Sequence, residues 1–240
     1  MEFTIVIPVK DEGIQFLRIL LDLKRYCSTA SEIIVVVDDP RDETIQIINS
    51  NKGNLPIQVL ENQGSPKSAA TAIKTGLSKS RSNATIVFMG DGSDDSSLIP
   101  DLVRLIWRGV GIASASRYMP GGQQIGAPRL KAFLSKSAGK SFRLLTGVGT
   151  YDATNSFKAY SKEFLNSIEI ESTKGFEVGL ETVAKAVRLG YPVAELPTTW
   201  IERSQGSSNF KLVQWLPSYM KWYLIGIGVL TSNSLKRNTP

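Results

Sequence analysis

Histidine is absent from the chain altogether, and cysteine occurs once, at Cys27. Without imidazole there is no histidine-based triad, no His-ligated zinc and no imidazole acid/base step. A single cysteine cannot close an intramolecular disulfide, which suits a reducing compartment. Long hydrophobic runs are missing too. The strongest, Trp222 to Leu230, falls short of the roughly 20 apolar residues that a membrane-spanning helix needs. The N-terminus, Met1 to Pro8, has neither the charged start nor the apolar run of a secretory signal, so cytoplasmic residence is expected. Acidic residues are outnumbered 22 to 28, and the resulting charge of +6 favours anionic partners such as nucleotides or phospholipid headgroups. Nucleic acid is not expected among them, because no basic stripe interleaved with aromatics stands at the sheet ends.

What remains is ordinary globular material. At 240 residues with 42% hydrophobic and 21% charged content, the chain suffices for one large domain or two fused halves around a shared core. Over the first 120 residues, short Ile/Val-rich runs alternate with helical patterns. Phe3–Pro8, Glu32–Val37, Ile57–Leu60, Thr85–Met89 and Gly111–Ser114 read as buried strands. Ile14–Tyr26, with Phe16, Leu17, Leu20 and Leu21 on one face, Asp42–Asn49, Lys67–Leu77 and Ile99–Trp107 read as helices. Such alternation predicts an α/β fold with a mainly parallel sheet and helices on both faces. Ligands of these sheets bind beyond the carboxyl ends of the strands. Pro120 to Pro128 then reads as a glycine-bearing loop able to close over a ligand, followed by a helix over Arg129–Leu145. A strand ending near Tyr160, a helix over Gly179–Leu189, a strand over Pro192–Thr199, a turn at Gly206–Asn209 and a helical tail from Val213 complete the pattern.

The polar residues after each strand carry the chemistry. Asp38 and Asp39 follow strand two and suit hydrogen bonds to ribose hydroxyls; the competing reading is that Asp39 or Asp42 caps the next helix. Asp91, Asp94 and Asp95 crowd the end of strand four and would repel one another without a cation among them. Hard oxygen ligands on a loop suit Mg²⁺ or Mn²⁺ bridging to a diphosphate, against the alternative of a solvated acidic turn. Arg117 and Arg203 each directly follow an expected strand and suit phosphate oxygens, whereas Lys131 reads as a solvated cation.

Taken together, these motifs resemble the family-2 glycosyltransferases of GT-A fold, in particular the dolichol/polyprenyl-phosphate mannose or glucose synthases, over nearly the whole chain. Ile5 to Glu12 is similar to the opening I-P-x-x-N-E signature, with Asp11 for asparagine. Glu32 to Asp39, with Asp42 and Thr44, resembles E-I-I-V-V-D-D-x-S-x-D-x-T. Asn62-Gln63-Gly64 resembles an N-x-G stretch, and Ser116 to Gly122 resembles S-R-Y-x-x-G-G. Asp152 to Lys158 resembles D-x-T-x-G-F-R with Ser156 in place of glycine. Gly175 to Glu181 fits G-Y-x-F-x-x-E, and Glu202 to Ser208 fits E-R-x-x-G-x-S. One departure concerns the metal motif: Met89 stands where the first aspartate of D-x-D is expected, and Asp94 or Asp95 could restore a ligand.

The resemblance implies a Rossmann-like GT-A fold that moves a hexose from a nucleoside-diphosphate sugar to an acceptor, by inversion and with Mg²⁺ or Mn²⁺. It implies a nucleotide-sugar-binding half over 1–120, an acceptor-binding half over 121–211 and a helical tail over 212–240. Donor contacts are expected at Pro8, Glu12, Asp38, Asp39, Lys67, Gly90 and Asp91, with Ser207 and Lys211 closing over the phosphates. Asp91, Arg117, Asp152, Glu181 and Arg203 are the expected catalytic residues, and Asp91, Asp94 and Asp95 the metal ligands. A polyprenyl-phosphate acceptor attacks without a base, whereas a glycan hydroxyl needs a carboxylate; Asp152 and Glu181 are the candidates. Glu181 also has a surface reading, an i,i+4 pair with Lys185. Trp215, Tyr219, Trp222 and Tyr223 mixed with Lys211 and Lys221 suit the inner face of a membrane, or packing on the chain itself or a second copy. Two other classes compete. A sugar-phosphate nucleotidyltransferase would carry a Gly-rich basic loop after strand one, where Lys10-Asp11-Glu12-Gly13 stands instead. A degenerate, non-catalytic nucleotide-sugar-binding module is favoured by Met89.

Overall fold

The computed structural model of the chain describes residues 2–202 and 212–232. Its first half runs β1 (Phe3–Val9), α1 (Phe16–Tyr26), β2 (Glu32–Val37), α2 (Glu43–Asn51), β3 (Ile57–Glu61), α3 (Ala69–Lys79), β4 (Ala84–Val87), α4 (Ile99–Trp107) and β5 (Ile112–Ser116). The second adds β6 (Gln123–Ile125), α5 (Arg129–Thr146), β7 (Lys158–Ser161), α6 (Lys162–Ser167), α7 (Val178–Leu189), β8 (Val193–Pro197), β9 (Thr199–Ile201) and α8 (Leu212–Gly226). Seven strands form one sheet in the order β3-β2-β1-β4-β7-β5-β8, and β6 pairs with β9 beside it. Strands from both sides of residue 120 therefore build the same sheet. It is parallel except for β7, which runs antiparallel to both β4 and β5.

Alternation along each strand divides the core between two faces. Ile5 and Ile7 join Phe16, Leu20 and Leu23 of α1, Ile48 of α2 and Leu102 of α4 on one side. Val6 joins Ile73 of α3, Val183 of α7 and Trp222 of α8 on the other. Because both faces are covered, β2 is buried almost throughout, which is why its run of Ile and Val has no polar alternation. The α1 face differs from the expected one. Phe16, Ile19, Leu20 and Leu23 are buried at i, i+3, i+4 and i+7, while Leu21 is 57% exposed. Helix starts follow local chemistry: Asp42 accepts from the Thr44 N–H to open α2, and Ser68 and Thr71 form a reciprocal capping box on α3. At Gly76 of α3 a Cβ would lie 2.2 Å from Val6 Cγ1, so the absence of a side chain lets this helix lie directly on β1.

One expectation needs correction. The segment 120–128 is not a free loop, because β6 within it is bonded to β9 and held by Gln123 N–H donating to Thr198 O at 2.9 Å. For two aromatic residues of the tail, the reading that is realised is packing on the chain itself. Trp222 is buried and donates to Ser172 Oγ at 3.1 Å, and Tyr223 meets Phe142 edge to face at 5.4 Å. No helix among the described residues is long and apolar enough to cross a membrane.

Candidate active site

The carboxyl ends of β1, β2 and β4 converge on one edge. Gly90 crosses the end of β1 so closely that a Cβ would lie 2.8 Å from Pro8 O, which fixes the path of the acidic loop behind it. At the end of β2, Asp38 Oδ1 accepts from Asn62 Nδ2 at 2.7 Å, and Lys67 bridges Asp38 O and Glu61 Oε1. Asp39 is half-buried and paired with Arg41 at 2.7 Å, whose hydrogen bonds hold its carboxyl down at about 2. Asp42 realises the capping alternative and also accepts from the Asp11 N–H at 2.9 Å. A shallow depression is lined here by Asp11, Gly13, Asp39, Arg41, Asp42 and Glu43. Glu12 opens the short 3-10 turn Gly13–Gln15 at its rim.

The three aspartates after β4 have separate fates. Asp91 Oδ1 accepts from the Ser93 N–H at 3.1 Å, which curls the loop over itself. Asp95 points to solvent and accepts from the Ser97 N–H at 3.0 Å and the Ser97 hydroxyl at 2.6 Å, so it caps a turn and is not brought to the other two. Asp94 is buried, and the neighbouring Ser93 O accepts from the Ile201 N–H of β9 at 3.0 Å. Neither Asp94 oxygen has a hydrogen-bond partner among the described residues, the Met89 amide giving only a weak contact. Burial, and then the neighbouring charge of Asp91, push its carboxyl up to about 8.

Beside them stands a buried ion pair. Arg117 donates from Nε to Asp152 Oδ2 at 2.6 Å, from Nη2 to Oδ1 at 2.8 Å, and from its backbone N–H to Oδ2 at 3.0 Å. Burial alone would raise the Asp152 carboxyl, but the guanidinium outweighs it and holds it below the usual carboxylate range. Arg117 Nη2 also reaches Thr154 Oγ1 at 3.3 Å, and Thr154 in turn meets Ser135 Oγ of α5 at 2.8 Å. Beneath this loop, Lys158 is fully buried and donates to Ala153 O and Asn155 O; burial pulls its ammonium down to about 7.

Asp91, Asp94 and Arg117 line one cavity of about 300 Å³. Its other wall is apolar, formed by Leu134 and Ala138 of α5, Leu180 of α7, and Leu216 and Met220 of α8. Glu181 is not in it. Its carboxylate is fully buried and accepts from the Glu171 N–H at 2.7 Å, the Ser172 N–H at 2.9 Å and Lys185 Nζ at 2.6 Å. Glu181 is therefore not placed at the cavity as an expected catalytic base would be, and its expected i,i+4 pair with Lys185 is present but buried, where it anchors a loop inside the molecule. Asp152 lies behind Arg117 and not on the cavity wall, so it positions the guanidinium. Arg203, Ser207 and Lys211 lie outside the described residues. Thr154, Ser135 and Glu202 also line the cavity and were not singled out beforehand. Thr154 and Glu202 stand inside the quoted motifs, the threonine of D-x-T and the glutamate of E-R, which is the signal that could have flagged them; Ser135 had no local signal.

A doubly covered α/β sheet with an acidic loop at its carboxyl edge and a cation facing it defines a GT-A glycosyltransferase. The chain belongs to glycosyl transferase family 2, whose family model matches residues 4–168. It is 32% identical over 137 residues to the polyprenol monophosphomannose synthase of Mycolicibacterium smegmatis, and the match spans about half of each protein, 52% of both. It is 25% identical over 215 residues to the undecaprenyl-phosphate mannosyltransferase of Micrococcus luteus, covering 87% of each. In fold it is similar to glucosyl-3-phosphoglycerate synthase from Mycobacterium tuberculosis, solved with Mn²⁺, UDP and phosphoglyceric acid. That likeness has a TM-score of 0.68 at 16% identity and covers 96% of this chain and 80% of the other.

Proposed function

We propose that this chain transfers a hexose, with inversion, from a nucleoside-diphosphate sugar to a polyprenyl phosphate at a membrane surface. The observation that carries this reading is that one cavity is lined by a carboxylate pair, a guanidinium and a long apolar wall. A charged donor head and a lipid acceptor need those three environments side by side. The names of the relatives point the same way.

The donor's nucleoside fits the strand ends at Pro8, Glu12, Asp38, Asp39 and Lys67, with Gly90 and Asp91 leading its diphosphate into the cavity. The donor set there fits a divalent cation: Asp94 offers two buried oxygens without strong partners beside Asp91. Among the described residues no cage of three or more such ligands exists, which suits Mg²⁺ or Mn²⁺ shared between one or two carboxylates and substrate phosphates. When bound, such an ion offsets the charge that builds on the departing diphosphate. Asp91 and Asp94 would hold it; Asp95, turned to solvent, is left as a cap.

An oxygen of the acceptor phosphate attacks the anomeric carbon, the bond from that carbon to the diphosphate oxygen breaks, and the nucleoside diphosphate leaves. Arg117 gives Nε and Nη2 to Asp152 and keeps Nη1 for phosphate oxygens along this path. The acceptor is already anionic and needs no base, consistent with Asp152 and Glu181 both being engaged elsewhere. A glycan hydroxyl fits this arrangement less well. The apolar wall takes the first isoprene units of the lipid.

Helix α5 supports work at a membrane. It contains no acidic residue, carries Lys136, Lys140 and Arg143, and exposes Leu130 and Phe133 at 65% and 66%. The test of function is direct. Purified protein with Mn²⁺, GDP-mannose or UDP-glucose and a short polyprenyl phosphate should yield the glycosylated lipid phosphate by mass spectrometry. Donor binding without any product from either sugar would contradict the proposal.

A further inference from the structure

We propose that the Ser156 hydroxyl contacts the donor's sugar, and that Ser156 together with Met89, which lines the same cavity, sets which hexose is accepted. The inference rests on reading the cavity as a nucleotide-sugar transferase site and names a specificity-determining residue within it.

Ser156 is only 6% exposed, and its Oγ has no hydrogen-bond partner among the described residues. It nonetheless lines the cavity, as does Ser93, whose Oγ is likewise buried and unpartnered. Buried hydroxyls are normally hydrogen-bonded, and each exception calls for a partner that the chain itself does not supply. A bound molecule in this cavity is the partner within reach.

The register says what faces Ser156. Strands β4 and β7 are antiparallel with Val87 opposite Lys158. Just beyond the ends of both strands, Phe88 and Phe157 meet edge to face at 5.4 Å, and continuing the register one residue further brings Met89 toward Ser156. Residues directly opposite on neighbouring strands share a face, and Met89 and Ser156 both line the cavity. These are also two positions where the sequence departs from the motifs it resembles, which carry aspartate at 89 and glycine at 156. On one side of the pair a carboxylate is replaced by a thioether, and on the other a hydrogen is replaced by a hydroxymethyl group.

The exchange changes what this part of the cavity can recognise. A carboxylate attracts a cation and only accepts hydrogen bonds when ionised. A methionine wall beside a neutral hydroxyl, which both donates and accepts, suits the mixed apolar and hydroxylated surface of a sugar ring. The location agrees. Asp91, Asp94, Thr154 and Arg117 line the same cavity as Met89 and Ser156, so a sugar held between diphosphate and acceptor phosphate lies within reach of both.

Calorimetric titration of the wild type, Ser156→Ala and Ser156→Gly in Mn²⁺ tests this. The ligands are two epimer pairs, GDP-mannose with GDP-glucose and UDP-glucose with UDP-galactose, and the bare diphosphates GDP and UDP. Both variants should bind the preferred nucleotide sugar about tenfold more weakly, as expected for one lost hydrogen bond. The preference between epimers should shrink, while affinity for the matching bare diphosphate stays within about twofold of wild type. Unchanged nucleotide-sugar affinity and epimer preference would overturn the proposal. So would equal weakening of the bare diphosphate, which would place Ser156 at the phosphates or in the fold. A wild type that binds none of the six ligands overturns the transferase reading itself, and this inference with it.

Discussion

Arg117 and Asp152 meet as a buried fork, with Nε to Oδ2 at 2.6 Å and Nη2 to Oδ1 at 2.8 Å, and side-chain exposures of 10% and 0%. The fork fixes the plane of the guanidinium before any substrate arrives. Asp152→Asn keeps the shape and loses the charge, so one N–H of Arg117 faces an amide that cannot accept. We expect kcat to fall about tenfold to a hundredfold with little change in donor KM. A loss confined to KM would show that the pair serves ground-state binding only.

Lys158 supplies a pH signature. Burial holds its ammonium at about 7 in the folded chain, against an ordinary value of 10.5. Between those values the unfolded chain keeps a proton that the folded chain has released, so the lysine's contribution to stability rises with pH. Below about pH 7 the full cost of burying the charge is present. Relative to Lys158→Met, the wild type should therefore gain stability as pH rises above about 7, by up to about 1.4 kcal/mol per pH unit. Urea unfolding of both proteins across this interval measures it, and a difference independent of pH contradicts the assignment.

The outward face of α5 gives a third expectation. Leu130 and Phe133 are exposed at 65% and 66% and lie one turn apart beside a basic stretch. Replacing both with glutamine should leave the melting temperature nearly unchanged, because neither supports the core. Flotation with vesicles containing anionic phospholipid should drop severalfold, since both apolar contacts with the bilayer are lost. Equal flotation of variant and wild type would remove α5 from the membrane surface.

The first half of the fold was legible because its strands are buried on both faces. Runs such as Ile33 to Val37 admit no other reading once flanked by helical periodicity, and the α4 range was read to the residue. The direction of β7 was not legible, since it depends on pairing with β4 and β5, and the Lys158 to Ser161 stretch carries no trace of either partner. The β6–β9 pair was missed for the same reason, its strands standing far apart in sequence. At the site, spacing located Asp91 and Arg117 at strand ends but could not separate Asp94 from Asp95. Their difference is one of burial, set by a tertiary fold that bonds β9 to the loop at Ser93 and leaves Asp95 in solvent. Glu181 and Lys185 show the same limit: the i,i+4 spacing was right, and its burial came from the loop at Glu171 and Ser172 folding over it.

The transferase reading depends on Asp91 and Asp94 holding the cation that meets the donor's diphosphate. Crystals grown with Mn²⁺ and either GDP or UDP, measured near the manganese absorption edge, locate that ion. Both carboxylates should coordinate an anomalous peak, with the diphosphate bridging from it toward Arg117. A peak elsewhere, or a diphosphate bound away from the loop after β4, would contradict it.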